Sequence, residues 1–202
     1  MLVWINGAFG AGKTHTAHEL HRRLASSHVA DPELIGFAIH RMLPSSERKD
    51  FQDRPQWRAA VVETLVQAER VSDGPVIVPM TLVDDRYFDE IVGGLQARGV
   101  DVRHYALTAS SETIRRRLRT RAGAVFGRVM GMDETWAMQQ TERCVAALAG
   151  DRYATHISND ARSLDDVVED IAAHAGLDLI RPRPQRIRAL QRRVAVSIAH
   201  IR

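Results

Sequence analysis

The chain has 202 residues, of which 45% are hydrophobic, 26% charged and only 5% aromatic, proportions of one soluble globular domain and not of a collagen-like, low-complexity or disordered chain. Its net charge of +3 is unevenly spread, because residues 181–202 hold seven arginines and no acid and the body is mildly acidic. A nucleic-acid-binding body, which would carry a basic face on the fold itself, is thereby excluded, and no apolar run approaches the roughly 20 residues of a membrane span.

Leu2–Asn6 is an apolar run of strand length with no basic, cleavable leader before it, and with the single Cys144 it points to the cytoplasm. A glycine-rich turn follows, and helical spacing begins near Gly12 and continues to about Ala25. His28–Asp31 reads as a second strand, and Asp31-Pro32-Glu33 as a helix start with proline in the first position. Arg54–Val71 has helical spacing, Val76–Met80 is a third strand, and Tyr87, Phe88, Ile91, Val92 and Leu95 mark the helix after it. Val102–Leu107 is the fourth strand, and Ser110-Ser111-Glu112 opens an arginine-rich helix. Ala122 to Asp133, with Gly123, Gly127 and Gly131, reads as a mobile loop between two helices. Tyr153–Ile157 is the fifth strand, and Ser163 with Asp166 has the form of a capping box ahead of Leu164, Val167, Val168 and Ile171. Strands alternating with helices make an α/β fold, here a five-stranded parallel sheet with helices on both faces. Arg181-Pro182-Arg183-Pro184 is a stiff break. The expected organisation is one domain over 1–180, its loop at about 122–133, and a C-terminal basic helix over 181–202.

Gly7-Ala8-Phe9-Gly10-Ala11-Gly12-Lys13-Thr14 is a complete phosphate-loop pattern between a strand and a helix. Its glycines let backbone N–H groups turn inward around phosphates, and the dipole of the following helix adds to their pull. Lys13 would reach the β- and γ-phosphates and the Thr14 hydroxyl would ligate Mg²⁺, with His15 beside it. The third strand ends at Pro79-Met80-Thr81 with no acid, whereas Asp31 ends the second strand at the same crevice. Asp31 can accept the proton of a substrate hydroxyl or hold a water on Mg²⁺, and it can also cap the helix it precedes. Arg117 and Arg121 lie one helical turn apart, placed either to stack on a base and clamp a moving phosphoryl group or to form a solvated face. Arg128 and Arg143 flank the loop as further phosphate contacts. His18 and His21 stand three apart, not the four of a His-Glu-x-x-His zinc site, so Mg²⁺ is the only metal implied.

The Gly-x-x-Gly-x-Gly-Lys-Thr pattern, an Asp ending the second strand and Arg-Leu-x-x-Arg before a short lid together resemble the adenylate, shikimate and gluconate kinase group. At finer grain the chain resembles the tunicamycin-resistance protein family of P-loop proteins over nearly its whole length. The residues behind that are Trp4-Ile5-Asn6-Gly7-Ala8-Phe9-Gly10, Glu19-Leu20-His21-Arg22-Arg23-Leu24, Asp31-Pro32-Glu33 with Gly36-Phe37, and Phe51-Gln52…Pro55…Trp57-Arg58. Val78-Pro79-Met80-Thr81, Leu118-Arg119-Thr120-Arg121 and His200-Ile201-Arg202 complete the match. The resemblance implies a P-loop fold of the nucleotide-kinase type and ATP with Mg²⁺ as cofactors. It also implies a small nucleoside- or sugar-like substrate and a link to tunicamycin-type antibiotics. By the same resemblance Asp31 would be the base, Arg117 and Arg121 the lid arginines, and the loop after Ile157 the adenine-side wall. The acceptor pocket would draw on Arg41, Gln52, Trp57, Arg58, Met80 and Thr81, between the second and third strands, with Trp57 either stacking on a uracil ring or packing its helix on the core.

Phosphoryl transfer to a small hydroxyl compound is the leading expectation, and ATP-dependent capture of an antibiotic without modification is the alternative. A switch GTPase is disfavoured, because no Asn-Lys-x-Asp guanine signature is present. In the C-terminal segment Ile187, Leu190, Val194, Ile198 and Ile201 form an apolar stripe beside Arg186, Arg192 and Arg193. Residues 184–201 would either dock on the body or make peripheral contact with the inner membrane face or a second chain.

Overall fold

The computed structural model describes residues 1–122, 134–153, 155–184 and Val196. In chain order they form β1 (Leu2–Gly7), α1 (Lys13–Arg23), β2 (His28–Val29), α2 (Glu33–Met42), α3 (Pro55–Val71) and β3 (Val76–Pro79). Then come α4 (residues 85–96), β4 (Val102–Thr108), α5 (Ser111–Ala122), α6 (Glu134–Leu148), β5 (Thr155–Ser158) and α7 (Leu164–Ala175). The five strands are parallel in the order β2-β3-β1-β4-β5, so β1 is central. Its register sets Leu2 against both Val76 and Val102, and Gly7 against Leu107.

Alternation along β1 divides the interior into two cores. Leu2 and Trp4 point to one face, where Val76, Val78, Trp57, Val61, Leu65, Ile91 and Leu95 close over them. Val3 and Ile5 point to the other, with Ile77, Leu107, Ile157, Leu20, Val167 and Ile171. A strand buried on both faces is why this segment reads as one unbroken apolar run. Helices α3 and α4 cover the first face, while α1 and α7 cover the second.

Several elements differ from the sequence reading in instructive ways. β2 is only two residues long, because Asp31 and Pro32 turn the chain into α2 directly after it. Ala30 still donates its N–H to Ile77 O at 2.9 Å, which carries the pairing to the edge where Asp31 stands. The helix expected from Tyr87 to Leu95 is present, with a π-helical turn over Asp89–Gly93 in its middle. The capping box of α7 is complete, with Ser163 Oγ accepting from Asp166 N and the Asp166 carboxylate from Ser163 N. Residues 123–133 of the glycine-containing loop, with Arg128, and all of the expected basic helix beyond residue 184 but Val196 fall outside the described residues.

The break at residues 181–184 is strapped to the body. Ile180 N and Arg181 N both donate to Arg23 O, and Arg23 Nε donates to Arg181 O at 3.1 Å. Arg22 makes two further bonds to this segment, donating from Nη2 to Pro182 O at 2.8 Å and accepting at its carbonyl from Arg181 Nη1 at 2.7 Å. Arg183 pairs with Asp166 and Glu169 of α7, and that pairing is the first reason the Glu169 carboxyl falls to about 2. Among the described residues, no helix is long and apolar enough to cross a membrane.

Candidate active site

The site is built from the carboxyl end of β1. A Cβ on Gly7 would lie 3.1 Å from Ala11 Cβ and 3.2 Å from Leu107 Cβ, so the loop folds back over β4 only because Gly7 has no side chain. Gly10 and Gly12 adopt left-handed φ values of 81° and 96°, which aim the intervening peptides into the turn. Ala11 N closes that turn on Ala8 O at 3.0 Å, and Thr16 N on Gly12 O starts α1. No side chain caps α1, and its first turn carries no acid. Its leading N–H groups and the Lys13 ammonium therefore form a positive end suited to an anion. Lys13 is buried, donates to Ala8 O at 3.2 Å and lies 5.5 Å from the Phe9 ring centroid. Thr14 and His15 are half-buried in the same turn. This donor set, backbone N–H groups, one ammonium and one hydroxyl oxygen, fits a nucleoside triphosphate with Mg²⁺.

Asn6, fully buried, fixes the loop's anchor to the segment after β3. Its Oδ1 accepts from Gly7 N at 2.8 Å and Leu82 N at 3.0 Å, and its Nδ2 donates to Leu82 O at 2.7 Å. Nδ2 also meets His104 Nε2 at 3.1 Å, and burial pulls the His104 imidazole down to about 4, so the ring is neutral at physiological pH. Trp4 Nε1 donates to Met80 O, and Thr81 Oγ1 to Gly7 O at 2.8 Å.

The acceptor side departs from expectation. Of the two places the sequence reading left open for Trp57, it takes the core: it has no exposed surface, and its indole donates to Pro32 O at 3.1 Å, pinning α3 to the start of α2. Met80, 1% exposed, belongs to the same core. Thr81 is spent on Gly7, and Gln52 Nε2 donates to Thr81 O at 3.1 Å. Arg58, 4% exposed, donates to the Glu90 carboxylate and to Gln52 O and lies 4.3 Å from the Tyr87 ring centroid. Trp57, Met80 and Arg58 are buried and brace the protein at these positions, because a buried indole and a buried guanidinium must find partners inside the protein.

Asp31 stands half-buried at the crevice edge, and its Oδ1 accepts from Glu33 N at 2.9 Å, so the carboxylate caps α2 from the second strand's end. Arg41 is exposed on α2. Arg143 is exposed on α6, and its charge is felt at Asp50, just ahead of Gln52. Arg121 lies in the last turn of α5, and its side chain is outside the description.

Arg117 has a defined seat. Its Nη2 donates to Asn159 O at 2.8 Å and to Asn159 Oδ1 at 3.3 Å, while Asn159 Nδ2 donates to Ala11 O of the phosphate loop at 2.5 Å. Asp160 accepts from Ser110 N at 2.8 Å and Ser110 Oγ at 3.1 Å, fixing the start of α5. Its carboxyl is held below the usual range, first by a hydrogen bond from Thr113. The sequence reading gave the loop after Ile157 as the adenine-side wall and quoted Asn6 in the family match, but assigned no role to Asn6, Asn159 or Asp160 individually. Their common signal is a polar side chain at the carboxyl end of a parallel strand, the argument that singled out Asp31.

An AAA-domain family model matches residues 2–144. Among solved structures, the tunicamycin resistance protein of Deinococcus radiodurans is 33% identical, with a TM-score of 0.73, covering 90% of this chain and 99% of that one. A gluconokinase from Sinorhizobium meliloti 1021 is 17% identical with a TM-score of 0.61, covering 86% of this chain and 90% of its own. A shikimate kinase from Bacteroides thetaiotaomicron is 16% identical with a TM-score of 0.55, covering 88% and 99%. At those lower identities the likeness is one of fold. No curated protein sequence matches the chain.

Proposed function

The chain belongs to the tunicamycin-resistance protein family, kinase-like P-loop proteins with an AAA domain, and from that membership we propose that it transfers the γ-phosphoryl group of ATP to a hydroxyl of a small nucleoside- or sugar-like compound. The observation that carries the reading is a complete phosphate cradle after β1 and Asp31 after β2, both at carboxyl ends of strands in one parallel sheet, with β3 between them. Bound MgATP would supply the electrophilic phosphorus and the metal charge that offsets its oxygens.

The chain's own residues do the rest. Loop N–H groups and Lys13 neutralise and orient the phosphates, and Thr14 offers its hydroxyl oxygen to the metal. Arg117, seated on Asn159, contacts the nucleotide on the α5 side, with Arg121 one turn further on. Asp31 would take the proton of the acceptor hydroxyl as its oxygen bonds to phosphorus and ADP leaves, so that no positive charge builds on that oxygen. Arg41, Arg128 and Arg143 are the remaining side chains proposed for the substrate side.

Asp31→Asn separates catalysis from capping, because asparagine also accepts from the Glu33 N–H. Transfer should fall about 10²- to 10⁴-fold while ATP affinity and thermal stability stay near wild type. The check is mass spectrometry of tunicamycin or a uridine nucleotide-sugar incubated with MgATP, with Lys13→Ala as the control. A phosphate-sized gain that survives in Asp31→Asn removes the proton-acceptor role. An acceptor retained unmodified, and only with ATP present, replaces transfer by capture.

A further inference from the structure

Two consecutive residues after β5 act on different parts of the donor side. Asn159 continues the ladder by donating its N–H to Thr108 O at 2.8 Å, so its side chain leaves from a fixed backbone. That side chain, in a residue only 6% exposed, touches the phosphate loop and α5 at once. The amide nitrogen donates to Ala11 O, two residues before Lys13, and a Cβ on Gly12 would lie 3.6 Å from it. The amide oxygen and the Asn159 carbonyl both accept from Arg117 Nη2. Asp160 meanwhile fixes the start of α5 through Ser110, so α5 is held at its N-terminus and again at Arg117.

We propose that Asn159 is a positioning residue that brackets Arg117 to the phosphate loop, so that the grip on the triphosphate and the contact made by Arg117 are set as one unit. This deepens the reading of residues 7–14 as the ATP site and depends on it. Only a side-chain amide does both jobs from one plane, with a donor for a carbonyl and an acceptor for a guanidinium. Aspartate would keep the Arg117 partner and set a carboxylate oxygen against Ala11 O. Leucine, similar in shape, would supply neither bond.

The test is equilibrium binding of MgATP and of magnesium tripolyphosphate, which lacks base and ribose, by titration calorimetry, with melting temperatures of the nucleotide-free proteins. Asn159→Leu should weaken ATP about tenfold and Arg117→Ala by a similar factor, and the double variant should bind no worse than the weaker single one. Asn159→Asp should weaken tripolyphosphate while keeping most of the preference for ATP over it. Additive losses in the double variant, or an Asn159→Leu protein that binds ATP like wild type, overturn the bracket. Should Asn159→Leu not fold, Asn159→Asp decides alone, and wild-type binding of tripolyphosphate in that variant overturns the bracket. Lys13→Ala tells the two readings apart. Wild-type ATP binding in that variant removes the ATP site itself, whereas loss of binding there beside normal binding in Asn159→Leu removes only the bracket.

Discussion

The two sides of the crevice, proposed for the phosphoryl donor and the acceptor, are made of different material. On the donor side the working groups are largely backbone: peptides turned by Gly10 and Gly12, the uncapped start of α1, and a guanidinium seated on a carbonyl. On the acceptor side they are side chains, and the most conspicuous of them, Trp57 and Arg58, are consumed in holding α2, α3 and α4 together. Phosphate is met by the same geometry in any chain that folds this way, so its site is written in glycine spacing. An acceptor is met by side-chain chemistry, and the same arginine can bind a ligand or brace a wall.

The contrast breaks most easily at Trp57. Trp57→Ala should cost about 3–5 kcal/mol in unfolding free energy, because a filled core position is emptied and Pro32 O loses its donor. Urea denaturation reads this, and a variant of wild-type stability with a selectively raised acceptor KM would restore Trp57 to the ligand. Arg58→Met should cost about 2 kcal/mol, less than a fully buried pair since Glu90 is 41% exposed. Arg58→Lys should recover little of it, as one ammonium cannot serve Glu90 and Gln52 O together while lying on Tyr87.

A subtler test addresses the seam between the two sides. His104, held at about 4 by burial, is neutral in the folded protein, whereas in the unfolded chain it protonates near 6.5. Its contribution is therefore complete above pH 6.5 and is lost as pH falls from there through 4, a loss of the order of 2 kcal/mol. His104→Gln should flatten the acid side of the stability profile within that window. An unchanged profile would mean that the ring is not held neutral against Asn6.

How far the sequence carries follows the same division. The strands were legible because β1 and β3 are buried on both faces and β4 carries the apolar run Tyr105–Leu107, and the phosphate loop because its glycines admit few other uses. Roles on the acceptor side were not, since burial of Trp57 and Met80 depends on how α2 and α3 meet, a relation between segments some 25 residues apart. Asn159 lies between these cases. Its position at a strand end was readable, but its double duty needs α5 and the phosphate loop to be neighbours in space, and nothing in local spacing says that they are.

The strap over residues 180–183 bears on how distant stretches of the chain depend on one another. Arg23 O, at the last turn of the helix that begins at Lys13, accepts from Ile180 N and Arg181 N, so the first helix is finished by nearly the last described residues. β1, central in the sheet, likewise waits for β3 and β4 on its two sides. The phosphate loop thus joins a strand and a helix whose partners come from residues 76–79, 102–107 and 180–181, so its shape rests on contacts spread over most of the described chain.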